Sequence, residues 1–465
     1  MMTTPSNEAT RLSRAQSIRA AALIFLGLSA LWLLWWLAFW PGVVGPDGLA
    51  VLWQIEGRPL HSRKPLMWYL AVKGFYQPGR HIEGIVGLQM LLGALIYARI
   101  LWWCWLQHMR KTFWVIGVCI ALSPAVLLYQ SALYSDGLFA AGVTGLTFEA
   151  WLILQRRVLT RASLIWVAMS LPLALFCRAN GFVMLLLLVP MMWAIDGRAR
   201  LRLASIVLLW LAAFGVGLRQ EPKWESHGAL FPLAVYETAS FLQPSIMGLR
   251  NPEARVTQAT REALARHRPL PQFVAFFDRD YWDPLAYRAD GPDVTAMNRA
   301  DQKIVVHEFW CCNLWRNLPA FLASRVNIFG VALLAQGGFG GPLQTEINLP
   351  MTQSQSNIGI AGLEGLRRAM SAYFDWSFSW RWLLWSPIPG LLLLAAVVVS
   401  AIRRKSWPLF WIAAPLVVQL GGIFTFSVAG EYRYLLPFFT VAAALWPIFL
   451  FSHLPKCVAA DARPV

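Results

Sequence analysis

The sequence predicts an all-α polytopic membrane protein of about ten transmembrane helices, and three observations predict it. Of the 465 residues 57% are hydrophobic and only 14% charged, with a mean hydropathy of +0.51, whereas a soluble domain carries about a quarter charged residues. Apolar runs of about 20 residues, the length a helix needs to cross hydrocarbon, recur along the chain. Lys and Arg mark every second connection between those runs, as expected of loops kept on the cytoplasmic side.

The runs fall at 20–40, 82–106, 112–131, 136–155, 162–177, 181–195, 201–218, 382–402, 407–427 and 433–452. The first follows Arg11, Arg14 and Arg19 and reads as a signal anchor rather than a cleaved leader. The fifth and sixth are short and separated by "RANG", which predicts a helical hairpin. Arg110 and Lys111, then Arg156, Arg157 and Arg161, then Arg198, Arg200 and Arg202, then Arg403, Arg404 and Lys405 place both termini in the cytoplasm. The stretch 318–336 is nearly long enough to span. Counting it would put the "RRK" turn outside, so it is expected to be interfacial or re-entrant.

Three parts follow: an N-terminal transmembrane module over 1–218, an extracytoplasmic insert over 219–381 that is mostly helical, and C-terminal transmembrane helices with a tail over 382–465. Short interfacial helices are expected in the first outer loop. The formal charge of +16 is accounted for by the basic turns, so nucleic acid is not an expected partner. Cys104, Cys119 and Cys177 lie in or near apolar runs as core thiols, and no CxxC pair points to zinc.

Polar exceptions then stand out on the outer side. The first outer loop, "GPDGLAVLWQIEGRPLHSRKPL", carries Asp47, Arg58, His61, Arg63 and Lys64 where short loops normally avoid positive charge. Asp136 stands at the corner "LYSDG", Arg178 and Asn180 in "CRANG", and Glu431, Arg433 and Tyr434 in "EYRYLLP". Each alone has a plain explanation, a helix cap or a snorkelling cation. Four distant segments that reach one interface together point to a shared cavity. Cations there suit an anionic lipid headgroup. A carboxylate at the mouth suits proton removal from an acceptor hydroxyl while the cations stabilise a departing phosphate.

These motifs resemble the GT-C superfamily of membrane glycosyltransferases, in particular bacterial relatives of protein O-mannosyltransferase and lipid A aminoarabinose transferase. An acid after the first span followed by "HSRKPL" is similar to that family's acid followed by "HPPL". "LYSDGLFA", "CRANG" and "EYRYLLP" are similar to its Ser-Asp corner, its "RPNG" hairpin and its "RYLLP" motif, over residues 1–200 and 425–440. The resemblance implies a polyprenyl-phosphate-linked sugar as donor and an envelope glycan, lipid or protein as acceptor. It further implies an inverting displacement on the periplasmic face of a bacterial inner membrane. Asp47 then matches the catalytic base and Asp136 the second acidic position. Arg58, His61, Arg63, Lys64, Arg178 and Arg433 become candidate phosphate contacts, and Asn180 and Tyr434 positioning residues. Two cations in place of the "HPPL" prolines, and the missing proline in "CRANG", are departures from the pattern. The sequence specifies no cofactor and leaves metal dependence open: Asp47 and Asp136 together offer ligands to a divalent cation.

Two other functions fit the same composition. An oligosaccharide polymerase or ligase acting on diphosphate-linked glycans would carry its bases mainly in the late loop. A flippase or transporter of lipid-linked sugar would spread charge through the membrane depth. "FDRDYWDPLAY" at 277–287 contains three acids but reads as a solvated loop, and "HEFWC" lacks the second His of a zinc protease.

Overall fold

The structure, a computed structural model, describes residues 13–58, 64–220, 230–244, 255–337 and 341–453. The first helix, α1 (Arg14–Ala38), starts at a capping box in which the Ser13 hydroxyl accepts from the Gln16 amide and the Ser13 amide donates to the Gln16 side chain. Two short helices follow, α2 (Pro46–Ile55) and α3 (Leu66–Tyr76), as expected for the first outer loop, and then α4 (Glu83–Leu106). The next run is divided into α5 (Arg110–Leu122) and α6 (Pro124–Ser131), bent by 54°. Ser123 caps a new helix there and Pro124 has no amide with which to continue the old one.

Helix α7 (Ser135–Arg156) is buried from Ser135 to Leu154 and forms the axis of the bundle. Helix α8 (Arg161–Phe176) packs tightly along it because a side chain at Gly142 would meet the Ala174 backbone nitrogen at 2.6 Å. A 3-10 segment (Ala179–Leu187) then leads into α9 (Leu188–Ala194), and α10 (Gly197–Gln220) closes the N-terminal module.

The insert begins with α11 (Leu230–Phe241), α12 (Gln258–His267), α13 (Leu270–Ala275), α14 (Asp283–Ala286), α15 (Arg299–Glu308), α16 (Leu314–Arg316) and α17 (Leu318–Leu333). It is not uniform. These helices enclose a core of their own around Tyr236, Phe241, Leu264, Phe273 and Phe309. The later elements α18 (Gln344–Asn348), α19 (Glu364–Ser379) and α20 (Arg381–Leu384) sit differently, with Leu349, Phe374 and Trp385 buried in the core of the main bundle. The chain ends with α21 (Ile388–Arg403), α22 (Trp407–Phe426), α23 (Leu436–Thr440) and α24 (Ala442–His453).

Every one of the ten apolar runs is helical, but the count of full spans is lower than ten. Among the described residues, seven helical stretches are long and apolar enough to cross a bilayer, or eight with the bent α5–α6 pair taken as one. The expected fifth and sixth spans fall short: α8 has 16 residues, about 24 Å of helix, and Ala179–Ala194 is partly 3-10. The stretch expected to be interfacial or re-entrant is α17, a 16-residue apolar helix whose Phe329 packs on Phe424 of α22.

Helix ends sort to two poles. At one, the Trp102 indole donates to Ser17 O, Trp103 meets Trp151 and Phe451 edge-on, and Arg404 donates to Ser452 O. The basic turns around Arg110, Arg156 and Arg403 lie at this pole. The opposite pole gathers α2, the α6–α7 corner, the "CRANG" hairpin and the turn before α23. Among the described residues there is no strand, only three isolated bridges, Val43 to Ala132, Tyr281 to Ala429 and Gly337 to Glu431. All three brace loops at that second pole.

Candidate functional site

Asp47 stands in the first turn of α2, where Pro46 needs no hydrogen-bond acceptor and the helix N-terminus favours a carboxylate. The loop before it is fixed from two sides. Val43 N donates to Ser131 O and Leu133 N to Val43 O, which ties it to the α6–α7 corner. Val44 N donates to Thr345 Oγ1, and Asn348 Nδ2 to Val44 O, which ties it to α18 of the insert. Gly48 lets α2 settle on that corner, since a Cβ there would lie 2.9 Å from Leu133 O.

Two cations hold the carboxylate. Lys64 Nζ lies 2.6 Å from Asp47 Oδ1, and Arg433 Nη1 lies 2.5 Å from Oδ2. Burial pushes the Asp47 carboxyl up, but Arg433 and Lys64 outweigh it and keep it far below the usual carboxylate range. Arg433 also donates through Nε to Glu431 and lies 5.2 Å over the Tyr134 ring and 5.5 Å over the Tyr434 ring. Arg178 sits 5.1 Å over Tyr434 and is paired with Asp136. A chain of contacts therefore runs Asp47, Arg433, Tyr434, Arg178, Asp136, and Tyr434 is placed between two guanidinium groups. Tyr129, Tyr134 and Tyr432 pack edge-to-face beneath it.

The loop 277–287, expected to be a solvated loop, is instead the roof of this cluster. Trp282 N donates to Val428 O, Gly430 N donates to Asp280 O, and Tyr281 bridges Ala429. Asp278 accepts from the Asp280 amide and Asp280 from Asn327. Spacing along the chain gave no sign of this, because the partner segment lies about 150 residues away in sequence.

The sequence-derived residues divide into three groups. Asp47, Lys64, Asp136, Arg178, Arg433 and Tyr434 come together. Asn180 lies in the same hairpin as Arg178, with its buried Oδ1 accepting no hydrogen bond among the described residues. Arg58 does not join them: it follows the C-terminus of α2, roughly 15 Å of helix from Asp47, exposed and stacked over Trp53. His61 and Arg63 lie outside the described residues. Sequence reasoning missed Tyr134, which supplies a ring under Arg433; it singled out Glu431 without giving it a role, and it placed Asp283, at the start of α14, in a solvated loop.

As arranged, the acids do not fit a shared divalent ion. Asp47 and Asp136 are each held by a cation, and no cluster of three His, Cys, Asp or Glu occurs among the described residues. The three cations Lys64, Arg178 and Arg433 are balanced by Asp47, Asp136 and Glu431. Donors remain for an anion all the same, because Lys64 uses one of its three N–H groups on Asp47 and Arg433 uses Nε and Nη1. A small apolar crevice, about 10 Å³, is lined by Ile328, Phe329, Ile423, Phe424 and Tyr434.

Fold and site together define a helical membrane protein with a charged, half-open cluster at one pole of its bundle. Comparison with protein-family models, with curated proteins and with solved structures finds no match.

Proposed function

We propose that the chain is a membrane glycosyltransferase that moves a sugar from a polyprenyl-phosphate donor to an envelope glycan, lipid or protein. In this reading the chain passes the bacterial inner membrane with both termini in the cytoplasm, and the ten apolar runs all lie within the bilayer, α8 and Ala179–Ala194 as a shortened hairpin. The Asp47 pole, opposite the basic turns, opens to the periplasm.

The observation that carries the proposal is the meeting of four sequence-distant segments in one chain of charges and rings, from Asp47 to Asp136, beside exposed apolar side chains. A lipid phosphate needs both features at once. Its oxygens find N–H donors on Lys64, Arg433 and Arg178, and its isoprenoid chain lies against exposed apolar side chains such as Leu322 and Val326 of α17 and Phe426 of α22. The reaction is a single displacement: a proton leaves the acceptor hydroxyl to a carboxylate, the oxygen bonds to the anomeric carbon, and the bond from that carbon to phosphate oxygen breaks. The departing phosphate is stabilised by cations already held in place, and such preorganised charge is among the largest contributions to catalysis. The roof over 277–287 bounds the acceptor side.

The test is binding and turnover by the purified protein in lipid nanodiscs. Undecaprenyl phosphate is expected to bind more tightly than undecaprenyl diphosphate or phosphatidylglycerol, and a labelled polyprenyl-phosphate hexose or aminosugar is expected to lose its sugar. Preference for the diphosphate would move the assignment to a glycan polymerase or ligase. Binding of none of these, with no sugar release, would remove it.

A further inference from the structure

Asp47 is committed to Lys64 and Arg433, Glu431 to Arg433, and Asp136 to Arg178, while in the roof Asp278 accepts from the Asp280 amide and Asp280 from Asn327. Asp283 is not committed in this way. It opens α14 directly after Trp282, whose amide is pinned to Val428, and so hangs from the roof a few residues from where the paired segment reaches Glu431 and Arg433. Its side chain makes no ion pair or hydrogen bond among the described residues, and it is open to solvent on one side. On the others it feels Glu431 and Arg433 from the turn before α23, Asp47 from α2 and Lys64 from the segment before α3.

We infer that Asp283, rather than Asp47, is the group that takes the proton from the acceptor hydroxyl, and that the acceptor enters from the solvent side, between α14 and the 431–434 turn. This rests on the glycosyltransferase reading above. A carboxylate held by two cations is a poor proton acceptor because their charges stabilise its ionised form, whereas one without a cation partner can take a proton from a hydroxyl. Partial desolvation, reinforced by Glu431 and opposed by Arg433, pushes the Asp283 carboxyl up to about 6, close to the working range of a general base. Asp47 then has a different role, holding Lys64 and Arg433 where the phosphate will sit. In balanced terms, the acceptor O–H proton passes to Asp283, the acceptor oxygen bonds to the anomeric carbon, and polyprenyl phosphate leaves with the electron pair of the broken bond.

The experiment compares wild type, Asp283→Asn, Asp283→Glu and Asp47→Asn in nanodiscs, following release or transfer of labelled sugar from a polyprenyl-phosphate donor against pH. Undecaprenyl phosphate binding is measured on each variant as a check of folding and of the donor site. Wild-type kcat/KM is expected to rise with pH through about 6, because the base must be ionised to act. Asp283→Asn should lower kcat by roughly a hundredfold or more, leave the donor Kd within about twofold, and abolish that acidic limb; Asp283→Glu should restore part of both. Asp47→Asn should instead weaken donor binding. An active wild type whose Asp283→Asn variant keeps its kcat and its acidic limb overturns the inference and leaves the glycosyltransferase reading intact. A wild type that neither binds the lipid phosphate nor releases sugar overturns both.

Discussion

Two arginine–carboxylate centres in this bundle are built on opposite plans. Between α4 and α7, Arg99 Nε lies 2.9 Å from Glu149 Oε1, with the two side chains 4% and 1% exposed and the Arg99 guanidinium over Trp102 and Phe148. It is one cation matched to one anion and sealed by rings. At the Asp47 pole each charge has company: Arg433 serves two carboxylates and two rings, Asp47 takes two cations, and 32% of the Asp47 side chain remains open. A sealed pair gives a ligand no access, even to the Arg99 Nη1 and Glu149 Oε2 that it leaves without partners among the described residues. A shared, half-open cluster keeps donors in reserve and can exchange partners when an anion arrives. Burial of charge alone therefore does not mark a site; surplus hydrogen-bonding capacity with access does.

That contrast can be broken by mutation. The largest effect is expected at Asp47→Asn, which should weaken donor binding and lower kcat/KM for sugar transfer by two or more orders of magnitude, because Lys64 and Arg433 lose the group that positions them, while the thermal midpoint moves little, since the open cluster can rehydrate. Transfer rate and melting temperature measured on one preparation check it. Glu149→Gln should behave in the reverse sense, destabilising the fold by about 3–5 kcal/mol because Arg99 is left buried without its partner. The double change Arg99→Met with Glu149→Met should recover most of that loss, and undecaprenyl phosphate affinity of the folded fraction should stay at the wild-type value throughout. If Glu149→Gln weakened ligand binding without changing stability, the two centres would not differ as described.

Smaller effects sharpen the account of the cluster itself. Arg433→Ala is expected to weaken undecaprenyl phosphate binding by about 1.5–3 kcal/mol, the worth of charged hydrogen bonds, and an unchanged Kd would remove Arg433 from the phosphate site. Tyr434→Leu should cost about 1 kcal/mol of the same affinity, since both guanidinium groups lose their ring face, whereas Tyr434→Phe keeps the ring and should be nearly silent. Arg58→Ala should be within error of wild type in this assay, because Arg58 stacks on Trp53 away from the cluster.

Much of this site was legible along the chain. Asp47, Lys64, Asp136, Arg178, Arg433 and Tyr434 were conspicuous because each is a polar group beside a long apolar run, and the alternation of basic turns placed them at one level. Arg58 was grouped with them on sequence proximity, which the ten-residue α2 defeats by carrying it a helix length away. Asp283 was passed over for the opposite reason: an acid in a polar loop looks solvated until the 428–430 backbone closes on 280–282. The Arg99–Glu149 pair shows as two charges inside apolar runs, but nothing local says that they face each other.

The sequence by itself determined the class of the protein, because transfer of apolar helices into hydrocarbon depends on composition and length that each segment carries alone. It also determined which polar groups would be out of place, since a charge in a greasy run is costly wherever it goes. Only the tertiary structure decided which of those charges share partners, that Asp283 joins them without an ion pair among the described residues, and that the insert divides between a core of its own and the bundle. Those outcomes depend on distances between segments up to several hundred residues apart, and a local pattern holds no information about the angle at which two helices meet.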